Sequence, residues 1–325
     1  MRREEDSCKS DKSHKILVKL FKRKENINQP FNDADRQQQL VGIASKVREL
    51  EIKSKRLTNH LFTGEYHSAF KGRGMTFKEV REYQAGDDTR FIDWNVSARM
   101  GHAYSKLFEE ERELTVHFLV DCSNSNLFGT NLQTKKDLIT EMCAVLSFAA
   151  ISNNDKAGLI FFSDKIEKYI PAKKGRDHVL HMVRELLNFQ PKSTSTDIVK
   201  ALSFLNSVTR HKSIVFILSD FADAGYKDAL RIAAKRNDVI GIQVYDKKDK
   251  ALPRVGLLEV RDAETGNTYL LDTNDSIMRL KYQQQFDKII SDAQQTFKDA
   301  HADLLQLATG EDYVKILKDF FLKRA

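Results

Sequence analysis

The sequence lacks any run that could cross a bilayer. A spanning helix needs about 18 or more consecutive apolar residues, and the stretch Cys143–Ile151 is too short. Near the N-terminus Lys19 interrupts Ile16–Phe21, which leaves a poor signal-peptide core. These two absences predict a cytoplasmic protein. Cysteine is scarce as well. Cys8, Cys122 and Cys143 form an odd set with no metal-ligand spacing, and the last two fall in apolar patterns that read as reduced, packed thiols. There is no internal repeat. Several enzyme signatures are missing. Gly72–Arg73–Gly74 has neither the lysine of a phosphate loop nor the third glycine of a dinucleotide fingerprint, and neither G-x-S-x-G nor H-E-x-x-H occurs. His178 and His181 stand three apart on an expected helix without a third ligand close in sequence, so a solvated face or core edge is expected for them.

What is present is a chain of 325 residues, 41% apolar and 30% charged, long enough for one large domain or two modest ones with a sizeable core. Its net charge of +7 is unevenly placed. Residues 1–60 hold 15 Lys/Arg against 9 Asp/Glu, while the remaining 265 hold 38 against 37. The excess therefore belongs to the N-terminal sixty residues, and the body gives no support to a nucleic-acid groove. Residues 1–38 read as a basic, disordered arm. Within it His14–Lys24 is a short basic amphipathic patch, which also fits docking or peripheral contact with a membrane surface.

From Leu40 the spacing Leu40, Ile43, Val47, Leu50 is helical. Residues 62–100 are rich in glycine and charge and read as irregular structure, part of a wrap over 39–112. Its only tryptophan, Trp94, is expected to be buried against the sheet. Beyond residue 103 strands and helices alternate. Strands are expected at 103–108, 114–120, 157–163, 212–220 and 238–246, with helices at 133–152, 176–189, 196–208 and 226–236. A hairpin (256–272), a long helix (276–300), a strand (303–309) and a closing helix (312–324) follow. Apolar strands alternating with amphipathic helices predict an α/β fold over 113–325, with a doubly wound, mostly parallel sheet and helices on both faces.

In such sheets ligands bind outside the carboxyl ends of the strands. Two expected strands end in an acid beside a hydroxyl, in Phe118–Ser125 and in Phe216–Asp223, and a hydroxyl cluster at Ser193–Asp197 opens a helix. Asp121, Ser123, Ser125, Thr196 and Asp220 can thus converge on one rim from three loops. Taken singly, Asp and Ser after strands are ordinary loop and cap residues. Together they form an oxygen set suited to a hard cation, Mg²⁺ or Mn²⁺. With hydroxyls binding directly and aspartates largely through water, the cation would remain electrophilic toward one more anion, such as a partner's carboxylate.

This ordered set resembles the metal-ion-dependent adhesion site of von Willebrand factor A-type domains. More closely, the chain resembles the bacterial domain of unknown function 58 family. The resemblance is carried by residues 72–99, 106–125, 158–180 and 196–202 and spans about 40–325. It implies that Asp121, Ser123, Ser125, Thr196 and Asp220 are the adhesion-site residues, with Thr194 an alternative to Thr196. Asn124 stands where that pattern usually has glycine. It further implies a non-enzymatic interaction module whose partner is a MoxR-type AAA+ ATPase, acting in complex assembly, chaperoning or stress tolerance. A different reading makes Asp87, Asp88 and Asp93 a two-metal hydrolase or nuclease cluster. No base or nucleophile accompanies them, and Arg81 and Arg90 are close enough in sequence to pair with them. Cys122 as a nucleophile is a weaker alternative, because an inward side chain is expected between Asp121 and Ser123.

Overall fold

A computed structural model describes residues 45–54, 57, 76–109, 113–123, 134–193, 195–261 and 268–324. The arm 1–38, Leu40, Ile43, Asn124, Ser125 and Thr194 lie outside the described residues. Helix α1 covers 45–54. Strand β1 (Thr76–Glu82), a 3-10 turn (Thr89–Phe91), helix α2 (Trp94–Met100) and strand β2 (Tyr104–Glu109) come next, with β2 antiparallel to β1. Thus 62–100, expected to be irregular, holds a strand and a short helix.

The main body runs β3 (Thr115–Asp121), α3 (Lys135–Ser152), β4 (Lys156–Phe162), β5 (Ile166–Lys173), α4 (Arg176–Asn188), α5 (Ile198–Val208), β6 (Ile214–Ser219), α6 (Lys227–Arg236) and β7 (Asp238–Tyr245). A hairpin of β8 (Leu257–Arg261) and β9 (Thr268–Asp272) leads to α7 (Ser276–Asp299), β10 (Asp303–Ala308) and α8 (Tyr313–Arg324). Six strands form one sheet in the order β10-β7-β6-β3-β4-β5, parallel throughout except for β5. This is the doubly wound α/β architecture expected from the sequence. The chain winds outward from β3 to one side, then returns to lay β6 on the other, so the winding reverses between β3 and β6.

The sheet is buried on both faces, which is why its central strands are almost continuously apolar. Val116, Phe118 and Val120 of β3 pack with α3, α4 and α8 on one face, while Leu119 packs with α5, α6 and α7 on the other. Each wholly buried Leu or Phe contributes about 1.5–3 kcal/mol. Helix α3 lies in the middle of the first layer, and its side chains are buried nearly all round. A capping box starts it, in which Thr134 and Asp137 satisfy each other's backbone N–H groups. On that layer α1 is tied down at Val47, which joins the core, and at Glu51, which takes both Nε and an Nη of Arg176 at 2.6 and 2.8 Å. Lys53 pairs with Glu141 of α3.

Strand β5 is not legible in the apolar pattern. It is an edge strand with irregular register, and it contains Pro171 and the charged Glu167, Lys168 and Lys173. Gly158 permits its approach, since a Cβ there would sit 2.8 Å from the Ala172 backbone nitrogen. Gly241 of β7 does the same for α7: a Cβ would collide with the Phe297 ring and with Leu304. Gly241→Val is therefore expected to cost about 1–3 kcal/mol through overpacking, read as a lower urea midpoint. An unchanged midpoint would mean that α7 does not seat on β7 as described.

Trp94 corrects one expectation. It is 71% exposed. Helix α2 turns Val96 and Ser97 inward, and Ser97 bridges the Asp93 carbonyl and the Tyr104 N–H, so the first helical residue points away. Trp94→Ala is accordingly expected to change stability by about 0.5 kcal/mol or less. The native emission should lie near that of indole in water and be quenched by iodide, whereas a blue-shifted, unquenched emission would restore the buried ring.

Candidate metal centre

Strand β3 delivers Asp121 to the rim where the winding reverses. Its carboxylate is wholly enclosed, 1% exposed, at the end of an otherwise apolar strand. Four groups hold it. The Ser123 N–H donates to Oδ1 at 2.9 Å, and the Ser123 hydroxyl also bonds the carboxylate. Ser219, the last residue of β6, donates its hydroxyl to Oδ2 at 2.7 Å. The Thr196 hydroxyl approaches Oδ1 at 3.5 Å, at the limit of a hydrogen bond.

Asp220 follows Ser219 directly and is half-buried. The chain there leaves the sheet in a tight turn: Phe221 adopts φ 53°, its N–H donates to the Ser219 hydroxyl at 3.1 Å, and the Ala222 N–H donates to Asp220 Oδ1 at 3.2 Å. Asp223, from the same turn, accepts from the Ile198 N–H at the start of α5. The loop after β6 is thereby fastened to the one that carries Thr196.

Burial first, then the charge of Asp220, push the Asp121 carboxyl up to about 6, against the bonds from Ser219 and Ser123 that favour its ionised form. The structure brings Asp121, Ser123, Thr196 and Asp220 together. Ser125 and the alternative Thr194 lie outside the described residues. The donor set fits a hard divalent cation. Two like carboxylates, one of them desolvated, lose their mutual penalty when such an ion lies between them. Every donor is oxygen, and no group of three or more His, Cys, Asp or Glu side chains gathers for a metal among the described residues. Mg²⁺ or Mn²⁺ suits this all-oxygen chemistry better than zinc, which favours nitrogen and sulfur donors. Two narrow cavities flank the rim, each of water size. One, of about 30 Å³, lies between Cys122, Ser123, Lys136 and Phe189. The other, of about 20 Å³, lies between Lys135, Asp220, Gln243 and Asp249.

The other candidates behave differently. Asp87 binds Arg81 at 2.7 Å and accepts from the Gln84 N–H. Asp88 caps the 3-10 turn and grips Arg90, whose guanidinium holds this carboxyl below the usual range. Asp93 caps α2, and its carboxyl is lowered chiefly by the Val96 N–H. Each acid is thus committed to a local bond that shapes the β1–β2 unit. The Cys122 thiol points to the Val120 carbonyl, and burial raises it well above its usual range. His178 contacts the Ala157 carbonyl at 2.9 Å, and His181 lies beside Glu185. Ser219 was not singled out by the sequence, although its place as a hydroxyl beside a strand-end acid is the same signal that marks Ser123.

Residues 79–289 match the model of the family described as protein of unknown function DUF58. The chain belongs to the DUF58 family. The uncharacterized protein Rv1480 of Mycobacterium tuberculosis is 29% identical over 285 residues, covering 87% of this chain and 90% of the relative. Among solved structures, the conserved hypothetical protein BatB of Bacteroides thetaiotaomicron aligns with 65% of this chain and 98% of its own, at 17% identity and a TM-score of 0.44. The SpRpn10 VWA domain aligns with 63% of this chain and 94% of its own, at 10% identity and a TM-score of 0.33. In this DUF58 protein the family match runs from β1 into α7 and includes both Asp121 and Asp220. No helix among the described residues is long and apolar enough to cross a membrane.

The raised Asp121 carboxyl has a measurable consequence in metal-free protein. The folded state holds this proton at about 6 against a usual value of 3.8. Its stabilisation is therefore full below about pH 4 and is lost as pH rises through about 6. Asp155, buried and also pushed up to about 6, contributes with the same sign. Relative to Asp121→Asn, metal-free wild type should lose stability between about pH 4 and 6, read as urea midpoints in chelator. A wild-type midpoint that gains on the variant over that range would contradict the assignment.

Proposed function

We propose that this DUF58 protein is a cytoplasmic, non-enzymatic protein-interaction module that works through a bound Mg²⁺ or Mn²⁺ ion. The observation that carries the reading is the meeting of Asp121 and Asp220, from neighbouring strands, at the reversal of the sheet, with Ser123 and Thr196 beside Asp121. Asp121, Ser123, Thr196 and Asp220 would hold the ion. Ser125 completes the set by its place in the D-x-S-x-S order.

When bound, the ion supplies one electrophilic position that a carboxylate from another protein can fill. The chain's own groups set how strongly. The hydroxyls of Ser123 and Thr196 add no charge, so two carboxylates are left to offset a divalent ion. Ser219 and the Ser123 amide already consume part of the Asp121 lone-pair capacity. The contact with the incoming carboxylate is charge-assisted and partly desolvated, which strengthens it. The partner is an Asp or Glu side chain on a MoxR-type AAA+ ATPase or on its client, in complex assembly, chaperoning or stress tolerance, as the family resemblance implies.

Calorimetry with Mg²⁺ is expected to give one site in wild type and none in Asp121→Ala. Binding to a purified MoxR-type ATPase should need Mg²⁺, fall in chelator and be lost in Ser123→Ala while the circular dichroism of the variant stays native. Partner binding that survives both chelator and Ser123→Ala sinks the mechanism. Equal Mg²⁺ binding by wild type and Asp121→Ala sinks the site.

A further inference from the structure

Three strands of the sheet carry one polar residue each at a single register. Ser219 of β6 lies opposite Gln243 of β7, and Gln243 lies opposite Gln306 of β10. Their neighbours along the strands are apolar, and all three point to the face covered by α5, α6 and α7, as Asp121 does. The side chains form a continuous row. Gln294 of α7 donates Nε2 to Gln306 Oε1 at 2.8 Å, and Gln306 donates Nε2 to Gln243 Oε1 at 2.9 Å. Gln243 then donates Nε2 to the Asp220 carbonyl at 3.0 Å. On the far side Ser219 reaches Asp121. Each amide in the row donates toward the metal rim, and Gln306 and Gln243 each accept from the amide outside them, an arrangement in which successive bonds polarise one another.

The position of Gln243 is what gives the row a function. It is only 1% exposed, so its amide belongs there only when both ends are bonded. The ladder between β6 and β7 ends at the Ser219–Gln243 pair, and the Asp220 carbonyl has already left it. The side chain of Gln243 takes over where the backbone ladder stops. The next residue, Phe221, is a bulky residue at positive φ, a conformation that a turn keeps only when its surroundings impose it. Two features of α7 impose it. The amide row fixes the carbonyl before Phe221, and the Phe297 ring packs edge-on against the Phe221 ring at 5.1 Å between centroids.

We propose that Gln243 is a positioning residue for the cation site: it holds the Asp220 turn in its binding geometry, and through Gln306 and Gln294 it makes α7 part of the site's support. The consequence for metal affinity rests on the metal reading above, whereas the hold on the turn does not.

The test uses the full chain and two readouts. Amide exchange at Phe221 and Ala222 in metal-free protein reports the turn, and Mn²⁺ titration reports the cation. Gln243→Met, of similar length but without an amide, should raise exchange at the turn by about tenfold with core amides of β3 unchanged. It should also weaken Mn²⁺ binding by about tenfold or more. Gln294→Ala, at the exposed end of the row, should produce a smaller change of the same sign, and it keeps the test available if Gln243→Met does not fold. Gln243→Glu separates positioning from bulk packing. Its protonated carboxyl can donate to Asp220 and accept from Gln306, so turn protection relative to wild type at the same pH should return as pH falls. Wild-type exchange at the turn in Gln243→Met, or in Gln294→Ala if the former does not fold, overturns the proposal. A loosened turn with unchanged Mn²⁺ affinity overturns its bearing on the cation. Failure of wild type to bind Mn²⁺ overturns the metal reading alone, and exchange at the turn then decides the role of Gln243.

Discussion

Two carboxylates at the carboxyl ends of neighbouring parallel strands repel each other, and the rim of this protein is organised around that repulsion. Asp121 is enclosed, Asp220 is next to it, and burial leaves the first reluctant to ionise. Such a pair persists only when the backbone leaves it no means of separating. Here the hydroxyl of Ser219 and the amide of Ser123 fix Asp121, while the Phe221 turn and the Gln243 amide fix Asp220. The sheet provides the frame. Strands β3 and β6 are adjacent because the winding reverses between them, and their acids meet for the same reason. The rim stores this unfavourable electrostatics in the Asp121 carboxyl, which burial and the charge of Asp220 push up to about 6.

Much of this architecture was legible in the residues. Continuous apolar runs ending in Asp121 and Asp220 carry both the strand assignment and the site, because burial on two faces removes the alternation and the strand end restores polarity. The long helices declared themselves as helical runs between the apolar strands. What escaped were elements whose signal is weak for physical reasons. Strand β5 is an edge with a proline and three charged residues, so it lacks the apolar run of its neighbours. Strand β1 and helix α2 are short and stabilised by ion pairs and caps rather than by a core. Trp94 was misplaced because a lone large aromatic is usually buried, whereas here the inward positions of α2 fall to Val96 and Ser97. Ser219 stood out in sequence only as a hydroxyl beside Asp220, and Gln243 not at all. Only the register of the sheet reveals that they share a row with Gln306.

The N-terminal elements use a different economy from the core. Helix α1 contributes Val47 and the partly buried Leu50 to the first layer, and ion pairs add to that hold, through Glu51 to Arg176 and Lys53 to Glu141. The β1–β2 unit likewise binds its acids to arginine, lysine and backbone N–H groups. Half-exposed pairs of this sort are individually weak and sensitive to salt. The α/β body and its N-terminal attachments should therefore respond differently to ionic strength, the former governed by burial and the latter by charge.

The irregular edge strand limits how this molecule can meet others. An open sheet edge is ordinarily a template onto which another chain can add a strand, either as a specific complex or as an aggregate. Beyond β5 that route is blocked: Pro171 offers no N–H, the register is broken near it, and lysines and a glutamate crowd the outer strand. Recognition on this flank is left to side chains and to whatever the rim presents, so the molecule can be abundant without polymerising through this edge.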